Sequence, residues 1–394
     1  MRLACVGSRL RGIGTMFRRI LVITVLAAPA AALCAVPAIQ KDQITTSDTC
    51  GSCHVDIFRM WKKSVHAQSM EDPIFVQAYR ETEAREGASV ARICLGCHAP
   101  MTLVNGDWAL REKVTWEGVT CDVCHSLVSV ELKGGNAKQT FAVGRVKRGP
   151  IKDAESTAHE VAYSELHTTS LACAGCHEYA NPEGTPILTT FSEWTASPAA
   201  KKGTTCQGCH MATTRANVVD PRVKRVAGAV NLHEMPGGHS LDQLHQSMGV
   251  SIRPRFLADA LEVELRLNNK GAGHSVPTGM PGRKVILTVA VRSSDGKAFE
   301  EKRIYAKTFN DAHGNLIARD SGFFAPGVRV KSDTRFEAGE VRVESFHFPV
   351  DVAKTAYLTV KLQYEHAPTG GAENRTQFTF FSEERTLTPE VKKK

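Results

Sequence analysis

Ten cysteines fall in five pairs, each separated by two residues and each followed at once by histidine: Cys50-Gly-Ser-Cys53-His54, Cys94-Leu-Gly-Cys97-His98, Cys121-Asp-Val-Cys124-His125, Cys173-Ala-Gly-Cys176-His177 and Cys206-Gln-Gly-Cys209-His210. The other two cysteines, Cys5 and Cys34, lie near the N-terminus. C-x-x-C-H is the attachment signature of c-type haem. The two thiols add to the vinyl groups of the porphyrin, and the histidine is placed to ligate the iron from one face. A disulfide framework does not demand histidine after every pair, and a zinc ribbon would pair its units at regular separations, unlike these. The reading is five covalently attached haem c groups, with His54, His98, His125, His177 and His210 as proximal ligands.

The chain has 15 histidines, so ten remain for the opposite faces of the irons. A second imidazole fills the position a substrate would need and so favours electron transfer. His66 follows a stretch from Asp56 to Ala67 with helical spacing of Ile57, Met60, Trp61 and Val65. A helix from His54 to His66 would span ~18 Å, so His66 is expected to ligate a haem other than its own. His159 and His167 stand eight residues apart, on one face if that segment is helical. His239 follows Gly237 and Gly238, which allow close backbone approach to a macrocycle. His274 sits in a loop flanked by glycines and stiffened by Pro277. These five, His66, His159, His167, His239 and His274, are the expected distal ligands. His233 and His245 are reserves, open between ligand and solvated loop, and His313, His347 and His366 read as structural or solvated. Met70, Met101, Met211, Met235, Met248 and Met280 lie near motifs and could replace one histidine, although a methionine so placed more often packs as core.

The elements that must hold these groups divide the chain. From Met16 a basic start, an apolar run from Ile20 to about Ala35 and small residues read as a signal peptide over residues 1–38. The run is interrupted by Pro29 and falls short of the ~20 residues a spanning helix needs. Residues 39–250 hold every motif and little sustained periodicity beyond short helices, as expected of a mainly α and irregular domain wrapped around its cofactors. Leu127 to Pro150 carries several lysines, arginines and glycines and reads as a basic loop or hairpin, solvated rather than a docking face. Residues 251–394 alternate apolar and charged positions in LEVELRL, KVILTVAV, EVRVESFHF and AYLTVKLQY, with a turn at Asp295-Gly296. That pattern predicts an antiparallel β-sandwich of about seven strands, contributing the His274 loop and no catalysis of its own. The net charge of +8 includes Arg2, Arg9, Arg11, Arg18 and Arg19, all in the leader, and nothing requires a nucleic-acid partner.

The motif-bearing part resembles the multihaem cytochromes related to hydroxylamine oxidoreductase, its tetrahaem electron-acceptor cytochrome and octahaem tetrathionate reductase. The resemblance rests on Cys50 to His54 followed by Trp61-Lys62-Lys63-Ser64-Val65-His66-Ala67, on His159 to His177, and on Cys206-Gln-Gly-Cys209-His210-Met211. It implies that His66 is a distal ligand to a neighbouring haem. Gly237-Gly238-His239 and the loop from Gly273 to Gly279 resemble parts of multihaem cytochromes with an appended β domain. Residues 48–282 are covered. The chain departs from the family in having five motifs rather than four or eight, no C-x-x-C-Lys site and no counterpart of the cross-linked tyrosine of hydroxylamine oxidoreductase, so activity does not carry over with the fold.

The sequence therefore reads as an exported, periplasmic or otherwise extracytoplasmic pentahaem cytochrome c. It would relay single electrons through mostly bis-histidine haems to redox partner proteins, either other cytochromes or a membrane quinol-oxidising complex. Membrane association of the chain itself is not predicted. The rival is an oxidoreductase acting on hydroxylamine, nitrite or tetrathionate at one five-coordinate haem.

Overall fold

The computed structural model describes residues 39, 43–222, 227–367 and 375–389. Residues 1–38, read from the sequence as a signal peptide and carrying Cys5 and Cys34, lie outside them. Among the described residues no helix is long and apolar enough to cross a membrane. The first part is built from short helices that repeatedly deliver a motif at or near a C-terminus. Thr46 caps Ser47–Gly51, its side chain accepting from Thr49 N, and the helical turn continues through His54 N to Cys50 O at 2.9 Å. Pro73 opens Pro73–Glu86 and the Asp72 side chain caps it, accepting from Ile74 N at 3.0 Å. Gly87, at φ 88°, ends that helix and lets Ala88–His98 begin at once, carrying the second motif in its last turns. Cys121–His125, Leu171–His177 and Cys206–His210 are helical over their motifs. Residues i and i+3 of a helix share a face, so each such turn points both thiols the same way with the histidine beside them.

Two expectations about local structure are corrected. The helix before His66 runs only from Val55 to Lys62, and the chain then turns. Trp61 anchors it, buried and donating from Nε1 to Val119 O at 2.9 Å. His159 and His167 do not share a helix. His159 precedes a strand, Glu160–Tyr163, that pairs in parallel with Val146–Gly149, and His167 lies in the 3₁₀ turn Glu165–Thr168. The stretch read as a basic loop or hairpin is a hairpin, Leu127–Lys133 with Asn136–Phe141, running on to Val146–Gly149. Its Lys147 side chain is only 10% exposed. The ammonium pairs with Asp122 of the third motif and donates to Thr45 Oγ1 at 2.9 Å, while Thr45 N donates to Asp122 at 2.6 Å. That knot ties three distant segments together.

From Met248 onward the chain is β-rich. A three-stranded antiparallel sheet has the order Val341–Phe348, Leu261–Asn269, Met248–Phe256, and a four-stranded one the order Ala298–Tyr305, Arg283–Ser293, Ala356–His366, Thr376–Leu387. The alternation read from the sequence buries one face of each. Leu261, Val263, Leu265 and Leu267 from one sheet join Val285, Leu287, Val289, Val291, Leu358, Val360 and Leu362 from the other in one apolar core. Each such side chain contributes roughly 1.5–3 kcal/mol on burial.

Candidate haem-ligating site

A metal held between two imidazole nitrogens at about 2 Å each sets the ring centroids about 6 Å apart. Four motif histidines meet a second imidazole at that separation. His54 faces His159 at 6.2 Å, His177 faces His66 at 6.3 Å and His210 faces His274 at 6.2 Å. His125 has two neighbours, His167 at 5.9 Å and His233 at 6.5 Å.

Backbone carbonyls decide which nitrogen each ring presents, since a carbonyl can only accept. Among the motif histidines, Nδ1 donates to Val218 O from His54 at 2.5 Å, to Ser69 O from His98 at 2.9 Å, to Arg148 O from His125 at 2.6 Å and to Pro236 O from His210 at 2.6 Å. On the opposite side His159 donates to Glu160 O, His233 to Asn231 O and His274 to Ser275 O, again through Nδ1. All seven rings thus keep Nε2 bare, the arrangement by which a second partner fixes a metal-ligating histidine. His167 is the reverse. Its Nε2 donates to Cys124 O at 2.9 Å and its buried Nδ1 has no partner. His233, a reserve in the sequence reading, therefore presents to His125 the same bare nitrogen as the other pairs, and His167 does not.

Local structure explains each placement. Gly118, at φ 70°, lets the chain pass close to His66, whose carbonyl accepts from Val119 N at 3.2 Å. The parallel pair Val146–Gly149 with Glu160–Tyr163 positions both the Arg148 carbonyl under His125 and His159 opposite His54. The His274 loop is clamped to the helix Thr190–Ala196 through Glu193, which accepts from Ser275 N at 3.1 Å and Thr278 Oγ1 at 2.8 Å and pairs with the buried Arg335 at 2.7 Å. His239 stands apart. Its ring neighbour is Tyr364 at 6.4 Å, and Gly238 makes a close approach to the Tyr364 hydroxyl, 3.0 Å from where a Cβ would stand. His245 and His347 are exposed, and His366 is buried against Asp320 at 2.9 Å. Met70, Met101 and Met248 are core.

His98 differs from its four counterparts. Its ring is stacked on Phe75 at 3.8 Å, and among the described residues no imidazole faces it within the separations of the other four.

The residues fit haem c. None of the ten motif cysteines is disulfide-bonded. Among the described residues no three His, Cys, Asp or Glu converge as a bare metal ion would need, and four motif histidines have an imidazole across from them, as the axial positions of a porphyrin iron require. Burial pulls His66 and His125 down to about 4, which keeps them in the neutral form that ligates metal. Motif thiols also meet across motifs. Hydrogen bonding between Cys50 and Cys121 pushes the first up and the second down, and the same holds for Cys173 and Cys206. Cys97 and burial push Cys176 up.

Comparisons with known proteins agree with that chemistry. Residues 49–126, which span the first three motifs, match the family model described as cytochrome c554 and c-prime. No curated protein matches the chain. The crystal structure of a penta-heme cytochrome c552 from Thermochromatium tepidum shares the fold, with a TM-score of 0.69 at 21% identity over 88% of this chain and 100% of that one. The two matches support a multihaem c-type cytochrome.

Proposed function

We propose that the chain binds five haems c and relays electrons between redox partner proteins outside the cytoplasm, exported there by residues 1–38. The observation that carries this reading is the set of four imidazole pairs at the spacing of a doubly ligated iron, each with a motif histidine on one side. In it His159, His233, His66 and His274 close the irons of motifs one, three, four and five. A filled coordination shell changes little with oxidation state, which suits electron transfer. The five-haem count is that of the structurally similar c552. The two β sheets, read as a sandwich, hold the His274 loop rigidly against the motif-five histidine.

Thiols of different motifs stand close to one another, as a relay between neighbouring haems would need. Motif one meets motif three at Cys50 and Cys121, motif two meets four at Cys97 and Cys176, and motif four meets five at Cys173 and Cys206. Cys176 also acts on Cys124, which burial pushes up to about 12, linking three to four. Pyridine haemochrome analysis should return five haems per chain, and a potentiometric titration should reduce all five reversibly. Fewer haems, or a fraction that no mediator reduces, would contradict the reading.

A second reading has one specific observation behind it. Among the described residues no imidazole stands across from His98, the position an oxidoreductase would use for a small nitrogen or sulfur compound.

A further inference from the structure

His274 reaches motif five from the β-rich half, whereas the motif itself, Cys206–His210, belongs to the other half. The loop that carries it joins the strands Leu261–Asn269 and Arg283–Ser293 and is fixed from two sides. On the β side the Asn269 side chain donates to His274 O at 2.8 Å and to Phe336 O at 3.1 Å, and Val276 N donates to Phe336 O at 2.9 Å. On the other side the loop lies against the helix Thr190–Ala196, so closely that a Cβ at Gly273 would stand 3.3 Å from Trp194 Cδ1. The peptide between Ser275 and Val276 joins these supports to the ligand. Its carbonyl accepts from His274 Nδ1 at 2.9 Å, and its N–H is the one that donates to Phe336. A peptide bonded at both ends orients the imidazole and makes its bare Nε2 a better electron donor.

The N–H of the preceding peptide, between His274 and Ser275, donates to a side chain of the motif-bearing half, Glu193. Four groups converge on that side chain. Its Oε2 accepts from Ser275 N at 3.1 Å and Thr278 Oγ1 at 2.8 Å, while Oε1 accepts from Thr189 Oγ1 at 2.6 Å and pairs with Arg335 Nη2 at 2.7 Å. The two hydroxyls can reverse their roles, but a backbone N–H and a guanidinium can only donate, and these two sit on different oxygens. A carboxylate accepts from both; an amide in its place must turn its own NH₂ on one of them. The pair is largely withdrawn from water, with the Glu193 and Arg335 side chains 13% and 8% exposed, which strengthens each bond. Arg335 supports the loop as well, donating from Nη1 to Pro277 O at 3.3 Å, and it keeps a second carboxylate partner in Asp333 at 2.7 Å. Removing the charge of Glu193 therefore does not leave Arg335 unpaired.

We propose that Glu193 is the positioning residue for the distal ligand of the motif-five haem: it holds His274, borne by the β-rich half, over an iron attached in the other half, and without its carboxylate that iron opens. This rests on the reading that His274 closes the iron of motif five and goes beyond it by naming the side chain on which the closure depends. Glu193 acts only through the Ser275 N–H and the loop it fixes. Its loss exposes a coordination position that a free nitrogen ligand can fill.

The test uses the oxidised, haem-loaded full chain with imidazole as the probe, followed by electron paramagnetic resonance and optical titration. Glu193→Gln should shift the balance between bound and unbound His274 about tenfold toward unbound, the scale of one lost hydrogen bond to a charged group. High-spin signal should then exceed that of the wild type, and one haem more than in the wild type should take up added imidazole and return to low spin. Thr278→Val removes one partner of Oε2 and keeps the carboxylate, so it should act in the same direction but less. Asp333→Asn takes a charge from the same arginine without touching the loop and should leave the spectrum unchanged. His274→Ala sets the full effect, with that haem open in every molecule. Two outcomes overturn the proposal while leaving His274 as the ligand: wild-type spin states in both Glu193→Gln and Thr278→Val with only a lower unfolding temperature, or an effect of Asp333→Asn equal to that of Glu193→Gln. Unchanged spin states in His274→Ala would instead remove the ligand assignment, and the proposal with it. In each case a count of five haems leaves the relay standing, whereas a count below five removes the relay as well.

Discussion

Leu261, Val263, Leu265 and Leu267 meet Val285, Leu287, Val289 and Val291 across a single apolar core in the β-rich half, whereas the motif-bearing half gathers only small clusters, Met70, Phe75, Leu95 and Ala99 in one and Leu127, Val130 and Ala174 in another. The first half to fold by its own burial is therefore the one without motifs. Ordering each residue costs roughly 1–2 kcal/mol of backbone entropy, and clusters that small do not offset it over some two hundred residues. In the motif-bearing half the macrocycles must supply the missing apolar surface, and the thioethers and iron ligands must supply the cross-links. The contrast separates two ways of building a stable structure within one chain.

The strongest way to break that contrast is to prevent haem attachment. A chain produced without haem should lose the helical signal in circular dichroism and the amide protection of residues 43–247, while the strands from Met248 keep theirs in hydrogen exchange. Equal protection in both halves would remove the distinction. Next in size is the Asp122–Lys147 pair, a largely buried ion pair inside the haem-dependent half. Lys147→Met leaves the Asp122 carboxylate buried without its counter-ion, and breaking such a pair costs about 3–5 kcal/mol. Thermal unfolding followed in the haem absorption band should show the loss, and an unchanged midpoint would show the pair to be dispensable. Leu265→Ala acts on the other half, where a cavity in a packed core costs about 2–5 kcal/mol. Its unfolding should appear in the β signal before the haem signal moves.

The smallest expected effect on stability is the most diagnostic of ligation. His233→Ala should convert one low-spin haem to high spin, and His167→Ala should leave the spin states alone, because only His233 offers a bare Nε2 to His125. The opposite result would hand the ligand role to Nδ1 of His167.

Much of this was legible in the residues. The five motifs announce themselves because thioether chemistry fixes their spacing, and the strands do so because one buried face imposes a period of two. The turn after Lys62 was hidden, since the apolar spacing of Val55 to Val65 fits a longer helix as well. Which imidazole meets which motif was hidden for a different reason. His66, His159 and His274 were picked out by their surroundings, but their partners lie up to 111 positions away, and the choice of His233 over His167 turns on which nitrogen a carbonyl occupies. Lys147 looked like one charge among several because nothing near it in sequence signals Asp122.

The central claim is that four irons are closed by paired histidines and one is not. Electron paramagnetic resonance of the oxidised, ligand-free protein, integrated against its haem content, tests it most directly. The account predicts four low-spin haems and one high-spin haem per chain; a protein with two or more high-spin haems, or with no haem to integrate, would contradict it.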